Sequence, residues 1–341
     1  MPFVEDFVPT AAGPVPRVST SLTRRDILGT IGARTGFYRN NYKVTPGLYC
    51  TGEPDKNSPV LVTANYKLSF DALRKELGGQ NSWVLVIDTR GINVWCAGGK
   101  GTFSAEEIAY QVQRAALDTI IDHRQLILPQ LCANGVALHK LKSLCGFRGK
   151  FGPIKASDLP KYLDSGIASE QMRSVTFNTR ERVVLIPLEI CMLWKQLLLL
   201  SILFFIVSGI SKDFYNLSLA LQRGTTLATG TVVAIFSGAV LTPLLLPWIP
   251  ARQFWLKGCI TGGVVALLYS TLTLSTHTHS ELGALVLWIL SCSSYLAMNF
   301  TGSTVFTSLS GVEKEMRTGL PLQIISASIA FFLWIASPFL Q

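Results

Sequence analysis

The stretch Asn93, Val94, Trp95, Cys96, Ala97, Gly98, Gly99, Lys100 sets one thiol beside one indole, then three small residues and a lysine. It follows directly on an apolar run that ends at Asp88. A cysteine in that place has four chemical uses. It can pack as a small hydrophobe, the usual fate of a buried thiol. It can be a nucleophile with His123 or His139 as its base. It can share a zinc ion with Cys132, Cys145 and the histidines, whose spacing is not that of a zinc site. It can also be the single protein ligand of a metal whose other ligands belong to a cofactor. In that case one thiol suffices, and Ala97, Gly98 and Gly99 let a flat macrocycle approach the backbone.

The surrounding pattern decides where such a loop lies. Residues 59–65 (PVLVTAN) and 82–88 (SWVLVID) read as strands, with a helix over 68–77 between them. Ser104 and Glu107 predict a capping box for a helix over 105–120. Residues 125–131 read as a third strand, 136–144 and 157–165 as helices, and 180–190 as a last strand. Strands alternating with helices predict an α/β domain with a mainly parallel sheet. Ligands of such sheets sit beyond the carboxyl ends of the strands. That rule puts the Cys96 loop at a ligand site and brings Thr63 and Asn65 to the same edge. Residues 1–25 are proline-rich and predict an extended arm, and the glycine-punctuated stretch 29–49 lacks G-x-G-x-x-G and reads as loop.

The second half of the chain is of another kind. Of the whole sequence 49% is hydrophobic and 15% charged, against about 25% charged in an average soluble domain. All but seven of the 30 Lys+Arg and all but four of the 21 Asp+Glu precede residue 191. The predicted division is therefore an arm over 1–25, a soluble domain over 26–190 and an all-α membrane domain over 191–341. Five apolar stretches, about 191–210, 227–249, 255–274, 282–302 and 320–340, each approach the length that crosses a bilayer. Arg180, Arg182, Lys195, Arg252, Lys257, Lys314 and Arg317 fall on one side and only Lys212 and Arg223 on the other. The positive-inside rule then puts the soluble domain and the 301–319 loop in the cytoplasm of a cell-membrane protein, and the C-terminus outside. A transporter would want acids inside the spans, and only Glu281 lies at an edge.

Charge and cysteine usage narrow the function further. The net charge of +9 is scattered with no basic run, which points to lipid headgroups and not to nucleic acid. The seven cysteines, Cys50, Cys96, Cys132, Cys145, Cys191, Cys259 and Cys292, form no C-x-x-C. A reducing compartment and no iron–sulfur cluster in this chain are expected.

The sequence N-V-W-C-A-G-G-K strongly resembles the cap helix of corrinoid proteins. It is similar to the corrinoid domain of the corrinoid iron–sulfur protein of the acetyl-CoA pathway. The layout of that domain followed by five apolar spans resembles the mercury-methylating corrinoid proteins of anaerobes, as does residues 299–317 (NFTGSTVFTSLSGVEKEMR). The resemblance implies a Rossmann-like corrinoid-binding domain. It implies cobalamin held base-off with Cys96 thiolate as lower axial ligand of cobalt, and a cap formed by Asn93, Val94, Trp95 and Ala97 through Lys100. The histidine signature D-x-H-x-x-G is absent, since Asp122 and His123 are adjacent. The implied activity is methyl transfer from methyl-cobalt to Hg(II), an electrophile that needs a methyl group bringing its electrons. A methyl-folate-type donor and a ferredoxin-like partner with two 4Fe–4S clusters complete the cycle. The other activity it allows is that of a membrane-anchored corrinoid methyl carrier in one-carbon metabolism.

Overall fold

The computed structural model describes every residue except 213, 305, 306, 308 and 341. Part of the 299–317 segment singled out above therefore lies outside the described residues. The chain divides into two compact units, Met1–Val175 and Thr176–Gln341.

The first unit is built on a seven-stranded sheet. Its elements are β1 (Val4–Thr10), β2 (Gly13–Val18), α1 (Arg24–Arg34), β3 (Gly47–Thr51), β4 (Val60–Ala64), α2 (Lys67–Lys75), β5 (Ser82–Ile87), α3 (Val94–Gly99), α4 (Ala105–Arg114), α5 (Leu117–Ile120), β6 (Gln125–Leu128), α6 (Leu138–Cys145), β7 (Arg148–Phe151), α7 (Leu159–Ser165) and α8 (Glu170–Arg173). The strand order is β1-β2-β3-β5-β4-β6-β7. Strands β5, β4, β6 and β7 run parallel, β3 pairs antiparallel to β5, and β1 antiparallel to β2. The sheet is thus mixed and mostly parallel.

Alternation along the central strands sends side chains to two cores. Val60, Val62, Ala64, Trp83, Leu85 and Ile87 pack with Ile108 and Val112 of α4. Leu61, Val84 and Val86 pack with Phe70 and Leu73 of α2 and with Tyr162 of α7. Every residue of β4 and β5 is buried, as expected of strands covered on both faces.

Three expectations change. Residues 4–18 are no arm: they form the β1–β2 hairpin, whose prolines are tolerated at a sheet edge. The glycine-rich stretch begins with α1, because Thr23 and Asp26 form a capping box and Gly29 and Gly32 let the rings of Tyr42 and Tyr38 lie against the helix. Residues 180–190 are helical, since an Asn178–Glu181 capping box starts one helix and Pro187 sits in the first turn of the next. The outer strand is β7 instead.

Helix α1 is fixed by a buried ion network. Lys67 Nζ lies 2.6 Å from both Asp26 and Asp71, and Arg74 bridges the same two carboxylates at 3.0 and 2.7 Å. Burial alone would raise the Asp26 carboxyl. The bonds from Lys67 and Thr23 outweigh it and hold that carboxyl well below its ordinary range.

The second unit is helical: α9 (Thr179–Val183), α10 (Ile186–Met192), α11 (Trp194–Ser208), α12 (Leu217–Ile235), α13 (Thr242–Leu244), α14 (Phe254–Thr273), α15 (His279–Asn299) and α16 (Leu309–Ala336). Among the described residues four helices are long and apolar enough to cross a membrane, 217–244, 254–273, 279–302 and 310–339. A fifth crossing arises if Thr179–Met192 and Trp194–Ser208, bent by 49°, count as one span. The 217–244 helix starts ten residues before the predicted span because Arg223 is buried against Glu281 at 2.5 Å. The predicted 301–319 loop is helical from Leu309. There the buried Glu315 accepts the Phe254 and Trp255 N–H groups at the start of α14, at 2.9 and 3.3 Å.

Candidate corrinoid site

The loop between β5 and α3 is fastened at its base. Asn65 Oδ1 accepts the Thr89 and Gly91 N–H groups at 3.1 and 2.9 Å, and its amide donates to Asp88 at 2.9 Å. Asp88 also accepts the Arg90 N–H at 2.8 Å, and the Thr89 hydroxyl donates to the Ile92 carbonyl at 2.7 Å. Arg90 and Gly91 both have positive φ, so the chain turns sharply here, and a side chain at 91 would meet Lys43. Ser104 caps α4 as predicted, but Glu107 does not reach back to it. Glu107 instead accepts the Asp88 N–H at 2.9 Å and ties α4 to the same loop.

From this base rises α3, six residues long. Asn93 caps it, accepting the Cys96 N–H at 2.8 Å. Cys96 is half-buried, and its thiol has no hydrogen-bond partner among the described residues. Ala97 and Gly98 are buried. A Cβ on Gly98 would lie 2.7 Å from Asn134 Oδ1 and 3.2 Å from the Cys132 backbone, so this glycine serves the packing of α3 on the 130–134 turn. Gly99 and Lys100 are exposed, and a Cβ on Gly99 would meet nothing closer than 3.9 Å.

Beside α3 opens a cavity of about 310 Å³. Thr63, Asn93, Val94 and Trp95 line it together with Ser69 and Ala72 of α2 and the turns after β6 and β7, Pro129 and Leu131, Pro153 and Ile154. Of the sequence-derived residues, Thr63 and the start of α3 thus meet at one cavity. Asn65 does not line it and shapes the loop below. Ser69, Pro129 and Pro153 went unnoticed; the prolines just beyond strand ends were the available signal.

The other uses of Cys96 find little support. His123 lies before β6, at the amino edge of the parallel strands, and both its ring nitrogens are engaged, with Ser58 O at 3.0 Å and Gln125 N at 3.2 Å. Burial pushes the Cys132 thiol up to about 12 and raises that of Cys145, which donates to the Leu141 carbonyl at 3.3 Å. No group of three His, Cys, Asp or Glu among the described residues could hold a metal ion unaided. Cys96 itself does not line the cavity and follows the lining residue Trp95 on α3; a soft thiol without protein co-ligands fits a metal that brings its remaining ligands with it. A second free group adjoins it: the Tyr66 hydroxyl is buried without a partner. Burial raises its pKa, with Arg39 and Arg34 opposing and Cys96 adding to the rise.

Residues 18–163 match the family described as CO dehydrogenase/acetyl-CoA synthase delta subunit. The acetyl-CoA decarbonylase/synthase complex subunit gamma of Methanopyrus kandleri is 32% identical over 128 residues, 37% of this chain and 27% of that protein. That of Methanothermobacter thermautotrophicus is 31% identical over 152 residues, 42% and 32% of the two chains. The corrinoid/iron-sulfur protein large subunit of Moorella thermoacetica is 32% identical over 120 residues, 35% and 26%. The chain therefore spans about a quarter to a third of the length of these relatives. The family match lies within the sheet unit, and of the relatives named here one is a corrinoid/iron-sulfur protein by name and two are subunits of an acetyl-CoA decarbonylase/synthase complex.

Proposed function

We propose that the chain is a membrane-bound corrinoid-dependent methyltransferase with Cys96 as the lower axial thiolate ligand of cobalt. One observation carries this reading: the half-buried thiol stands on a capped helix whose first residues, Asn93, Val94 and Trp95, line the 310 Å³ cavity beyond the carboxyl ends of parallel strands, with Cys96 next in the chain but outside the lining. A cobalamin held there would supply a methyl group on a metal that the Cys96 sulfur would make electron-rich. The chain's own part is to hold that donor. Asn65, Asp88 and Glu107 fix the loop, Asn93 fixes the first turn of α3, and Gly98 seats the helix. Thr63, Asn93, Val94 and Trp95 offer one apolar wall with a hydroxyl and an amide. Gly99 and Lys100 form the exposed lip.

The acceptor we assign is Hg(II). An electrophilic metal ion cannot take a methyl cation and needs a methyl group that brings electrons, as carbanion or radical, and an anionic sulfur donor favours that more than a neutral imidazole. A methyl-folate-type donor supplies the methyl group and a ferredoxin-like protein with two 4Fe–4S clusters the electrons. We assign residues 191–341 to the membrane, with the sheet unit cytoplasmic and the C-terminus outside.

A second reading, a membrane-anchored methyl carrier of one-carbon metabolism, is favoured by the names of the relatives. The full chain in nanodiscs, loaded with cobalamin, separates the two. A base-off, sulfur-ligated spectrum is expected for the wild type and not for Cys96→Ala. An unshifted free-cofactor spectrum refutes both. Given the spectrum, methylmercury formed stoichiometrically with the loaded methyl group supports the first, and transfer only to a one-carbon acceptor supports the second. Cys96→His is the finer test, because imidazole retains cobalt. Equal Hg(II) methylation at full loading would make the cysteine an anchor and remove the thiolate argument.

A further inference from the structure

Helix α10 leads into α11 through the 49° bend, and one apolar face runs through both. Ile190, Trp194, Leu198, Ile202 and Ile206 are all exposed and follow one another at intervals of four, the spacing of neighbours on one helical side. Every exposed residue from 183 to 192 is apolar: Val183, Val184, Pro187, Ile190 and Met192. The charges that begin the segment are held by the protein. Glu181 accepts the Asn178 N–H and the Thr176 hydroxyl, each at 2.8 Å. The buried Arg182 donates to Phe177 O, Thr179 Oγ1 and Leu244 O at 3.2, 3.0 and 3.5 Å.

The neighbouring 217–244 helix shows how far along the bundle this face reaches. It runs antiparallel to α11, with Arg223 donating to Ser208 O at 2.9 Å and Leu227 packed in one cluster with Phe204. From Arg223 to Leu244 it rises about 32 Å, close to the roughly 30 Å of a hydrocarbon layer. The 15 residues of α11 rise only about 22 Å and fall short of the Leu244 level. The 7 residues of α10 supply about the missing 10 Å. Arg182, just before them, reaches Leu244 O, and Ile186 packs against Ile235, Ala239, Leu296 and Phe300 in the last turns of two other spans. Trp248, exposed just beyond Leu244, stands where an indole marks the edge of a bilayer. Ile190 therefore lies inside the layer that the other spans cross, not beyond it.

We infer that residues 183–192 lie within the bilayer, their exposed face covered by the acyl chains of one leaflet, the cytoplasmic one in the proposed orientation. The inference rests on the membrane assignment and carries it past its start at residue 191. The first crossing is then a broken helix whose two pieces meet at Leu193 inside that leaflet. The break leaves its backbone paired, as hydrocarbon demands: the Leu193 N–H donates to Ile190 O at 3.1 Å and the Leu197 N–H to Leu193 O at 2.8 Å. Acyl chains fit this face better than headgroups, because it offers no exposed charge between Val183 and Met192. A water-soluble partner is the less favoured occupant, because the same face continues down α11 to Ile206, where no such partner follows.

The test uses the full chain in phosphatidylcholine nanodiscs. A spin label on an unnatural keto amino acid replaces one exposed residue at a time: Val184, Ile190, Leu198 or Ile202, with Tyr110 of the sheet unit as the water reference. Collisions with oxygen, which concentrates in hydrocarbon, are compared with those of a water-soluble nickel chelate. The oxygen-to-nickel ratio should be highest at Leu198, near the middle of the crossing, still high at Ile190 and lower at Val184, while Tyr110 gives the water value. If hydrocarbon began at Trp194, the maximum would move to Ile202 and Ile190 would give the water value; that result overturns the inference. So does a label at Ile190 that neither reagent reaches, which would give the face to a second copy or another protein. Water values at Leu198 and Ile202 as well would refute the membrane assignment itself and not only its extension to residue 183.

Discussion

Replacing Asn93 separates the two roles the structure gives it. Its Oδ1 accepts the Cys96 N–H at 2.8 Å, and its side chain also lines the cavity. Helix α3 has six residues, too short to hold itself by propagation. Losing an N-cap acceptor costs about 0.5–2 kcal/mol. At tenfold for about every 1.4 kcal/mol, local opening of α3 should rise roughly 2- to 30-fold in Asn93→Ala. The upper part of that range is expected, because the freed N–H is that of a half-buried residue and only a short helix can compensate.

Hydrogen exchange of the 94–100 peptide in the full chain measures this directly. Asn93→Asp is the control: a carboxylate keeps the acceptor and suits a helix N-terminus, but the amide donor facing the cavity is gone. If capping is the main role, Asn93→Ala opens α3 and weakens cobalamin binding, and Asn93→Asp preserves both. If contact with the cofactor is the main role, both variants lose cobalamin and exchange stays as in the wild type. Exchange within twofold of wild type in Asn93→Ala would refute the capping argument.

Further outcomes follow from the same geometry. Gly98→Ala should destabilise the chain by about 1–3 kcal/mol in thermal unfolding, since its Cβ meets the Cys132 backbone, whereas Gly99→Ala should leave stability unchanged. Asp26→Asn should lower stability by about 3–5 kcal/mol at neutral pH, because Lys67 and Arg74 stay buried with one carboxylate fewer. In the wild type the Asp26 contribution is complete above its unfolded pKa near 4 and fades as pH falls toward the depressed folded value, so Asp26→Asn should flatten the acid limb of a stability–pH curve. Reporter fusions at Ser310 and Thr278 should report opposite sides of the membrane, Ser310 cytoplasmic; the same side for both would remove the odd number of crossings.

The sequence showed the centre of the sheet and missed its margins, for a physical reason. Strands β4 and β5 are covered on both faces, so they are unbroken apolar runs that no other element explains as well. Edge strands face looser demands: β1 and β2 hold Pro9, Pro14 and Pro16, and β7 is Arg-Gly-Lys-Phe. Residues 180–190 misled through their β-branched Val183, Val184, Ile186 and Ile190; local capping and Pro187 carried more weight than that propensity. At the candidate site, Cys96 and its cap were legible as a motif, while the supports were not. Asn65 and Glu107 act across 23 and 19 residues of chain to reach Asp88, and only the folded sheet brings them there.

Those supports bear on why the small residues follow the thiol. A run such as Ala97-Gly98-Gly99 invites a single explanation, close approach of a flat cofactor. The structure divides it. Ala97 is fully buried in the core, and Gly98 is closed off by the 130–134 turn, with Gly135 held equally close to Gly98 from the other side. Two of the three positions are therefore required by the fold alone. Only Gly99 has room for a side chain that nothing in the protein forbids. The cofactor argument from small residues thus reduces to one position, and Gly99→Ala isolates it. Unchanged stability with weakened cobalamin binding would show the glycine yielding space to a ligand; unchanged binding would leave the thiol, the cavity wall and the fixed loop as the whole of the case.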